Sequence, residues 1–388
     1  MPIILLSLAL AASTANAAPP PRPQQDEQTI VVTGRSLGET ERALRECLAR
    51  KCPPNEDIDA ALSHAENLFV AGKYKDARWV TLAAIGRNHR YRKTYPVDVS
   101  DLYRANSRIA AHLGEGRDYE WSTGEMHRIL GAAFPKADPR VIEADFELAD
   151  MYASFGRTRL ARQVFEGAER KAEQAGRPDL AGIARVRAAW LFQAEGDTWL
   201  TRQALAKIAA DRSPSAKVGR VAAMVLLARL DRAGGDGQTS AALVDELRGL
   251  HMRQPVLLFA PHVDLNWRFG ENGSDDPTML EAGSTTRLLP TDNFDDRWID
   301  VGFWVTPEGK VGEPEILRSS GPLNWTPNLM RSIAARAYSP IEEPTYKVER
   351  YSYTSRYMFV TGSRMRQRSP NARIEYVDLS VDPPAATH

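Results

Sequence analysis

Between Asp57 and Leu250 small residues and glycines return at a regular interval, and this repetition restricts the fold more than any other feature. In Ala61–Ile85 the residues Ala65, Leu68, Gly72, Tyr74, Ala77 and Ala84 have the spacing of two helices joined by a glycine turn. Leu148, Ala149, Tyr152, Gly156, Ala161, Phe165 and Ala168 repeat that spacing. A third copy, around Ala189, Phe192 and Gly196, keeps its first helix but has Thr201 where a small Ala is expected. Ala111–Leu130 carries a degenerate copy with its turn near Gly116. A helical pair of this kind cannot bury its apolar face alone, so the pairs are expected to stack, each on its neighbours. An irregular helical bundle is the competing arrangement.

These positions resemble the tetratricopeptide (TPR) repeat, in which small residues mark helix contacts and Gly marks the turn. The glycines Gly72, Gly116, Gly156 and Gly196 recur about every 40 residues, longer than the usual repeat of about 34, so longer helices or linkers are expected. Val218–Arg232 is apolar most of the way round and should be a buried helix. Gly234-Gly235-Asp236-Gly237 interrupts the pattern, and Ala241–Leu250 reads as the last helix. Gln254–Asp296 reads as a connector, mostly loop, with short strands possible at Val256–Ala260 and His262–Leu265.

From Trp298 onward the period changes. Ile299, Val301, Phe303 and Val305 alternate with Asp300, Gly302 and Trp304, which predicts a strand with one apolar face. Pro307–Lys310 supplies a turn in which Gly309 can take positive φ. Val311–Leu317 reads as a second strand. Leu329, Met330, Ile333, Ala334 and Ala337 have helical spacing, and Tyr346, Val348, Tyr351, Tyr353 and Tyr357 mark a third strand. This order, with Val301, Phe303, Val305, Gly309, Val311, Ser319-Ser320-Gly321 and Tyr338-Ser339-Pro340, resembles the C-terminal domain of TonB-type proteins. The resemblance covers about a sixth of the chain. It implies a sheet edge that accepts an extended partner strand, with Tyr346, Val348, Tyr351, Tyr353 and Tyr357 on that edge. In the alternative, Ile374, Tyr376, Val377 and Leu379 form a further strand that already occupies it. Gln28–Gly34, with Thr29, Ile30, Val31, Val32 and Thr33, resembles the TonB box, the receptor tag such a domain takes up; it could equally be a strand that docks on this chain's own body.

The expected architecture is therefore multidomain, α and α+β: an α-solenoid of TPR-like hairpins followed by a small TonB C-terminal-like α+β domain. The expected divisions are 1–17, 18–37, 38–251, 252–291 and 292–382. Ile3–Ala12 followed by Ala15-Asn16-Ala17 reads as a signal peptide cleaved near Ala17, too short to span a bilayer. Residues 18–37 read as a disordered leader, Pro- and Gln-rich from Pro19 to Gln28, and the periplasm is the expected compartment.

Lys and Arg number 50, as do Asp and Glu, with no basic run, so nucleic acid and anionic membrane are poor partners. The only cysteines are Cys47 and Cys52. On a continuous helix their Cα atoms would stand about 8–9 Å apart, beyond the roughly 7 Å limit of a disulfide. Pro53 disfavours helix at Cys52 and lets the chain turn back, so a structural disulfide is expected, two free thiols being the alternative.

The histidines His64, His89, His112, His127, His251, His262 and His388 show no paired metal spacing. His262 and Asp264 read as loop chemistry, and Ser319-Ser320-Gly321 as a strand end. Asp295-Asp296 and Glu342-Glu343 read as solvated carboxylates. No catalytic, metal or cofactor site is expected. The function expected is non-catalytic binding of a protein or extended peptide, such as an outer-membrane receptor or a periplasmic complex. The alternative is a TonB-like energy transducer acting on such receptors.

Overall fold

The computed structural model describes residues 35–233, 241–248, 255–261, 263, 297–354, 357–359, 366–368 and 373–380. The segments expected as signal peptide and TonB-box-like strand lie outside these residues.

The helical region contains α1 (Leu37–Ala49), α2 (Pro54–Val70), α3 (Tyr74–Asn88), α4 (Pro96–Leu113), α5 (Gly116–Ala133), α6 (Pro139–Ser154), α7 (Thr158–Gln174), α8 (Pro178–Ala194), α9 (Thr198–Ala209), α10 (Lys217–Ala233) and α11 (Ala241–Arg248). The helices pair as α2–α3, α4–α5, α6–α7 and α8–α9. The first helix of every pair opens on proline, at Pro54, Pro96, Pro139 and Pro178. There the missing N–H is harmless and the fixed φ suits the helix. Each first helix then closes on a glycine at positive φ: Gly72 (76°), Gly114 (70°), Gly156 (70°) and Gly196 (84°). At Gly156 the N–H of Arg157 returns to Tyr152 O (2.9 Å) and that of Gly156 to Ala153 O (2.9 Å), so the last carbonyls are satisfied as the chain reverses. Gly116, expected as the turn glycine of the second pair, is instead the first residue of α5; Gly114 makes the turn.

Ala61, Ala77, Ala84, Ala149, Ala161 and Ala168 are fully buried where the paired helices meet. First helices of adjacent pairs also touch, α2 with α4 and α6 with α8, and α8 packs in turn on α10, while α3, α5 and α7 pack chiefly on first helices. The array therefore curves with its first helices inside. The approach of α8 to α10 is closest at Gly182 and Gly219, where a Cβ on Gly182 would stand 2.8 Å from Gly219 N.

The sheet region contains β1 (Leu257–Phe259), β2 (Trp298–Val305), β3 (Glu315–Ser320), α12 (Thr326–Ala334), β4 (Ala337–Tyr338), β5 (Thr345–Thr354), β6 (Tyr357–Phe359), β7 (Arg366–Arg368) and β8 (Arg373–Asp378). The main sheet is antiparallel in the order β3-β2-β5-β8. Ile299, Val301, Phe303 and Val305 of β2 join Trp325, Leu329 and Ile333, from and beside α12, in one core, as the alternation implied. Val311 only bridges to Val305, and the second strand starts at Glu315, after the turn has widened. Ala337 lies on β4 rather than on the helix, because α12 stops at Ala334 and Tyr338 turns its ring into the core.

The strand β1, in the expected connector, pairs with β4. Its own Leu258 and the preceding Val256 share a cluster with Val221, Val225, Leu243 and Leu247 of α10 and α11. The sheet region is thereby sewn to the end of the array.

Candidate functional site

The sheet edge expected to receive a partner strand is occupied. On the side of β5 away from β2, Glu349–Thr354 pair with Asp378–Arg373 of β8. Beyond the last of these pairs Leu379 N–H donates to Val348 O (2.8 Å) and Val348 N–H donates to Ser380 Oγ (3.1 Å). Backbone groups already paired cannot accept another strand. Tyr351 and Tyr353 point into the core rather than over an edge. Tyr346 packs on Trp304, with centroids 5.1 Å apart. Tyr357 stands on a different strand, β6, which pairs with β7. The alternative weighed for Ile374, Tyr376 and Val377, a further strand in cis, is the arrangement found; Leu379 adds one bond beyond its end.

The other face of β2 meets the array. Asp300 lies opposite Arg318 of β3 and Arg350 of β5. Its carboxylate accepts from Arg350 Nε (2.7 Å) and Nη2 (3.0 Å) and from Arg318 Nε (2.7 Å). The Asp300 side chain is wholly buried and that of Arg350 is 1% exposed. The Arg350 guanidinium lies 3.9 Å over the Trp298 ring and donates to Phe69 O (3.3 Å) at the end of α2. Trp298 covers Gly72, where a Cβ would meet the indole Nε1 at 2.7 Å. Tyr74 Oη lies 3.4 Å from Ser352 Oγ. At the far end of the array Arg229 Nε of α10 donates to Leu257 O (3.2 Å). The sheet region thus grips both the first hairpin and the last long helix.

The inner face of the array carries charge pairs that run from hairpin to hairpin. Arg104 Nε of α4 donates to Glu147 Oε1 of α6 (2.8 Å), and Arg187 Nη1 of α8 donates to Asp150 Oδ2 of α6 (3.1 Å). Arg187 also lies 5.0 Å from the Phe146 ring centroid. Burial pushes the Asp150 carboxyl up to about 6 against the opposing pull of Arg187, with Glu147 adding to the rise.

Cys47 and Cys52 form a disulfide, with Cα atoms 5.2 Å apart. The turn between them is built like those that close the first helices: Lys51 at φ 53° replaces Gly, and Cys52 N–H returns to Cys47 O (3.0 Å). The Pro53-Pro54 pair blocks continuation of α1, and the bridge joins the two positions that this turn brings together.

The four described histidines pack or hydrogen-bond within the helical array. His64 Nδ1 lies 3.2 Å from Thr40 Oγ1, and His89 Nδ1 lies 2.7 Å from Tyr103 Oη. His112 stacks in a cluster with Phe69 and Tyr74, and His127 Nε2 lies 2.8 Å from Asp145 Oδ1. His251, His262, Asp264, Asp295, Asp296 and His388 lie outside the described residues. Ser319 and Ser320 pair with Ile299 and Trp298 as the end of β3, and Glu342-Glu343 are exposed. Among the described residues no cluster could hold a metal, and no helix is long and apolar enough to cross a membrane. The prolines at the helix starts were a signal in the sequence that went unread; the Asp300–Arg350 pair had none beyond opposite charges on neighbouring strands.

No family model and no curated protein matches the chain. Among solved structures, a kinesin light chain protein of Podosopora anserina with nearly identical TPR-like repeats is similar at 17% identity and TM-score 0.39, covering 51% of this chain and 96% of that one. BtubC (BKLC) from P. vanneervenii is similar at 15% identity and TM-score 0.43, covering 55% of this chain and 89% of that one.

Proposed function

We propose that the chain is a non-catalytic, exported scaffold that binds a protein segment along the inner face of its helical array. The observation that carries this reading is the curvature of the array, which puts side chains of successive first helices on one continuous surface. Arg104, Glu147, Asp150 and Arg187 are the polar anchors of that surface, and Phe146 is its aromatic floor. The export-type N-terminus supports a periplasmic location. The sheet region is a TonB-like unit whose β5 edge is given to β8, so that edge takes up no strand from outside and the sheet steadies the array.

The test is affinity capture from periplasmic extract with the intact chain and with an Arg104→Glu, Arg187→Glu variant. A partner retained by the parent and lost by the variant supports the scaffold. A partner held equally by both would overturn the assignment to the inner face. Strand addition is tested separately by titrating a Gln28–Gly34 peptide into the intact chain and into one lacking Ser369–His388. Amide shifts in β5 of the truncated chain alone are expected; shifts of equal size in the intact chain would mean that β8 leaves on its own and restore the TonB-like strand acceptor.

A further inference from the structure

The two ends of the array meet the sheet region through contacts of different kinds. The inner row runs α2, α4, α6, α8 and α10: α2 touches α4, Arg104 of α4 reaches Glu147 of α6, and α8 touches both α6 and α10. The sheet region holds α2 at one end of this row and α10 at the other, so it spans the open side of the arc and closes the array into a loop. At α10 the junction is apolar. Val256 and Leu258 are buried with Val221, Val225, Leu243 and Leu247. The same segment is bonded into the sheet region: Ser339 N–H donates to Val256 O (2.7 Å), Val256 N–H to Ser339 Oγ (2.9 Å) and Ser332 Oγ to Pro261 O (2.9 Å). This end cannot part without exposing aliphatic core to water.

At the first hairpin the junction is made by side chains on one backbone turn. Trp298 covers Gly72, Arg350 Nη1 donates to Phe69 O (3.3 Å), and Tyr74 Oη meets Ser352 Oγ (3.4 Å). What the hairpin covers is a charge pair, Asp300 with Arg350. Both members, and Arg318 beside them, belong to the sheet, so the pair stays made when the hairpin leaves and its charges regain water. Taking charges out of water opposes docking at this end, whereas burial of aliphatic side chains favours it at the other.

We propose that the sheet region is a hinged clasp: it stays fixed to α10 and α11 through β1 and releases the α2–α3 turn, opening the array to admit a partner to its inner face. Element-terminal segments of this kind absorb hinge motions. An extended segment with a free end threads the closed array, but a looped or folded partner enters only through the opened clasp. As a gate the clasp rests on the reading of the inner face as the binding surface; its motion is measured without a partner.

The experiment uses the full chain, its native cysteines held in their disulfide, with pairs of spin labels at exposed sites. Gly86→Cys with Asn324→Cys spans the clasp, and Gly86→Cys with Lys207→Cys stays within the array. In Gly72→Ala the first distance should gain a longer component while the second stays fixed. Gly196→Ala, which alters the same kind of turn away from the sheet, should change neither. Urea below the unfolding transition should bring out the same longer component in the parent, as a local opening. A first distance that stays single in Gly72→Ala and up to global unfolding would overturn the proposal. So would two distances that lengthen together, since the array itself would then flex. Access is read at Arg108→Cys, on α4 beside Glu147 and 72% exposed in the parent. A maleimide carried on a small folded protein should react faster in Gly72→Ala than in Gly196→Ala, and N-ethylmaleimide equally in both. Equal rates with the folded reagent would overturn the gate. The inner-face reading fails on a different result, a partner kept by the Arg104→Glu, Arg187→Glu variant, which leaves the label distances unaffected.

Discussion

The helical array and the C-terminal sheet both bury one face of each element, but they do so by opposite means. In the array, alanines let helices approach and the charge pairs of the inner face stay near water; the side chains of Arg104 and Glu147 are 21% and 26% exposed. In the sheet a charged residue from a middle strand is sealed between two arginines, with Asp300 and Arg350 essentially without solvent. Half-exposed pairs contribute about 0–1 kcal/mol. Removing one partner of a buried pair costs about 3–5 kcal/mol, because the other charge stays buried. The difference teaches where each region is vulnerable: the array through volume, the sheet through charge.

The largest effect should therefore come from Arg350→Ala. It leaves Asp300 with only Arg318, removes the cover from Trp298 and breaks the bond to Phe69 O. A loss of about 3–5 kcal/mol is expected in urea melts, against about 0–1 kcal/mol for Arg104→Ala. Equal losses would break the contrast between the regions.

Next in size are the volume changes in the array. Ala161→Trp puts an indole where a fully buried methyl sits, and Gly182→Ala drives a Cβ into the backbone of Gly219. Each should cost about 1–3 kcal/mol, more if the helices cannot separate. Melting unchanged in both variants would count against the hairpin packing.

These sites also show how far the sequence could be read. Alanines and glycines at a fixed interval were visible because packing in the array is local and repeats. The second turn was misplaced by two residues because Gly114 and Gly116 both fit the period, and only backbone φ separates them. Gly182 and Gly219 meet across two helices that are not sequence neighbours, so no period reveals them. In the sheet the alternation of β2 was legible, while the junction was not. Asp300 has the same place in the alternation whether its face meets water or the first hairpin, and only the fold brings Phe69 and Gly72 to it.

The junction itself can be weighed by comparing two glycines. Gly72 and Gly196 both sit at positive φ, 76° and 84°. A Cβ on Gly196 meets nothing, whereas one on Gly72 meets the Trp298 indole. Substituting Ala at either should cost about 1–2 kcal/mol for the left-handed backbone. Only Gly72→Ala should also displace Trp298, seen as a red shift of tryptophan emission absent from Gly196→Ala. Identical spectra would mean that the sheet does not rest on the first hairpin.

The smallest effect separates the regions by pH. The Asp150 carboxyl is raised to about 6 on folding, first by burial, with Arg187 opposing and Glu147 reinforcing the shift. An unfolded Asp titrates near 3.9. Folding therefore favours the protonated form, so its contribution to stability is complete below about pH 4 and lost as pH rises through about 6. Solvent reaches 16% of the side chain, which keeps the expected change on the order of 1 kcal/mol. The Asp150→Asn variant lacks this titration. Between pH 4 and 7 the parent should lose stability relative to the variant, and above pH 7 the two should run parallel. A parent that gains stability over the variant across this interval would mean that attraction from Arg187 outweighs burial, and that the charges of the inner face, like those of the sheet, are held mainly by their partners.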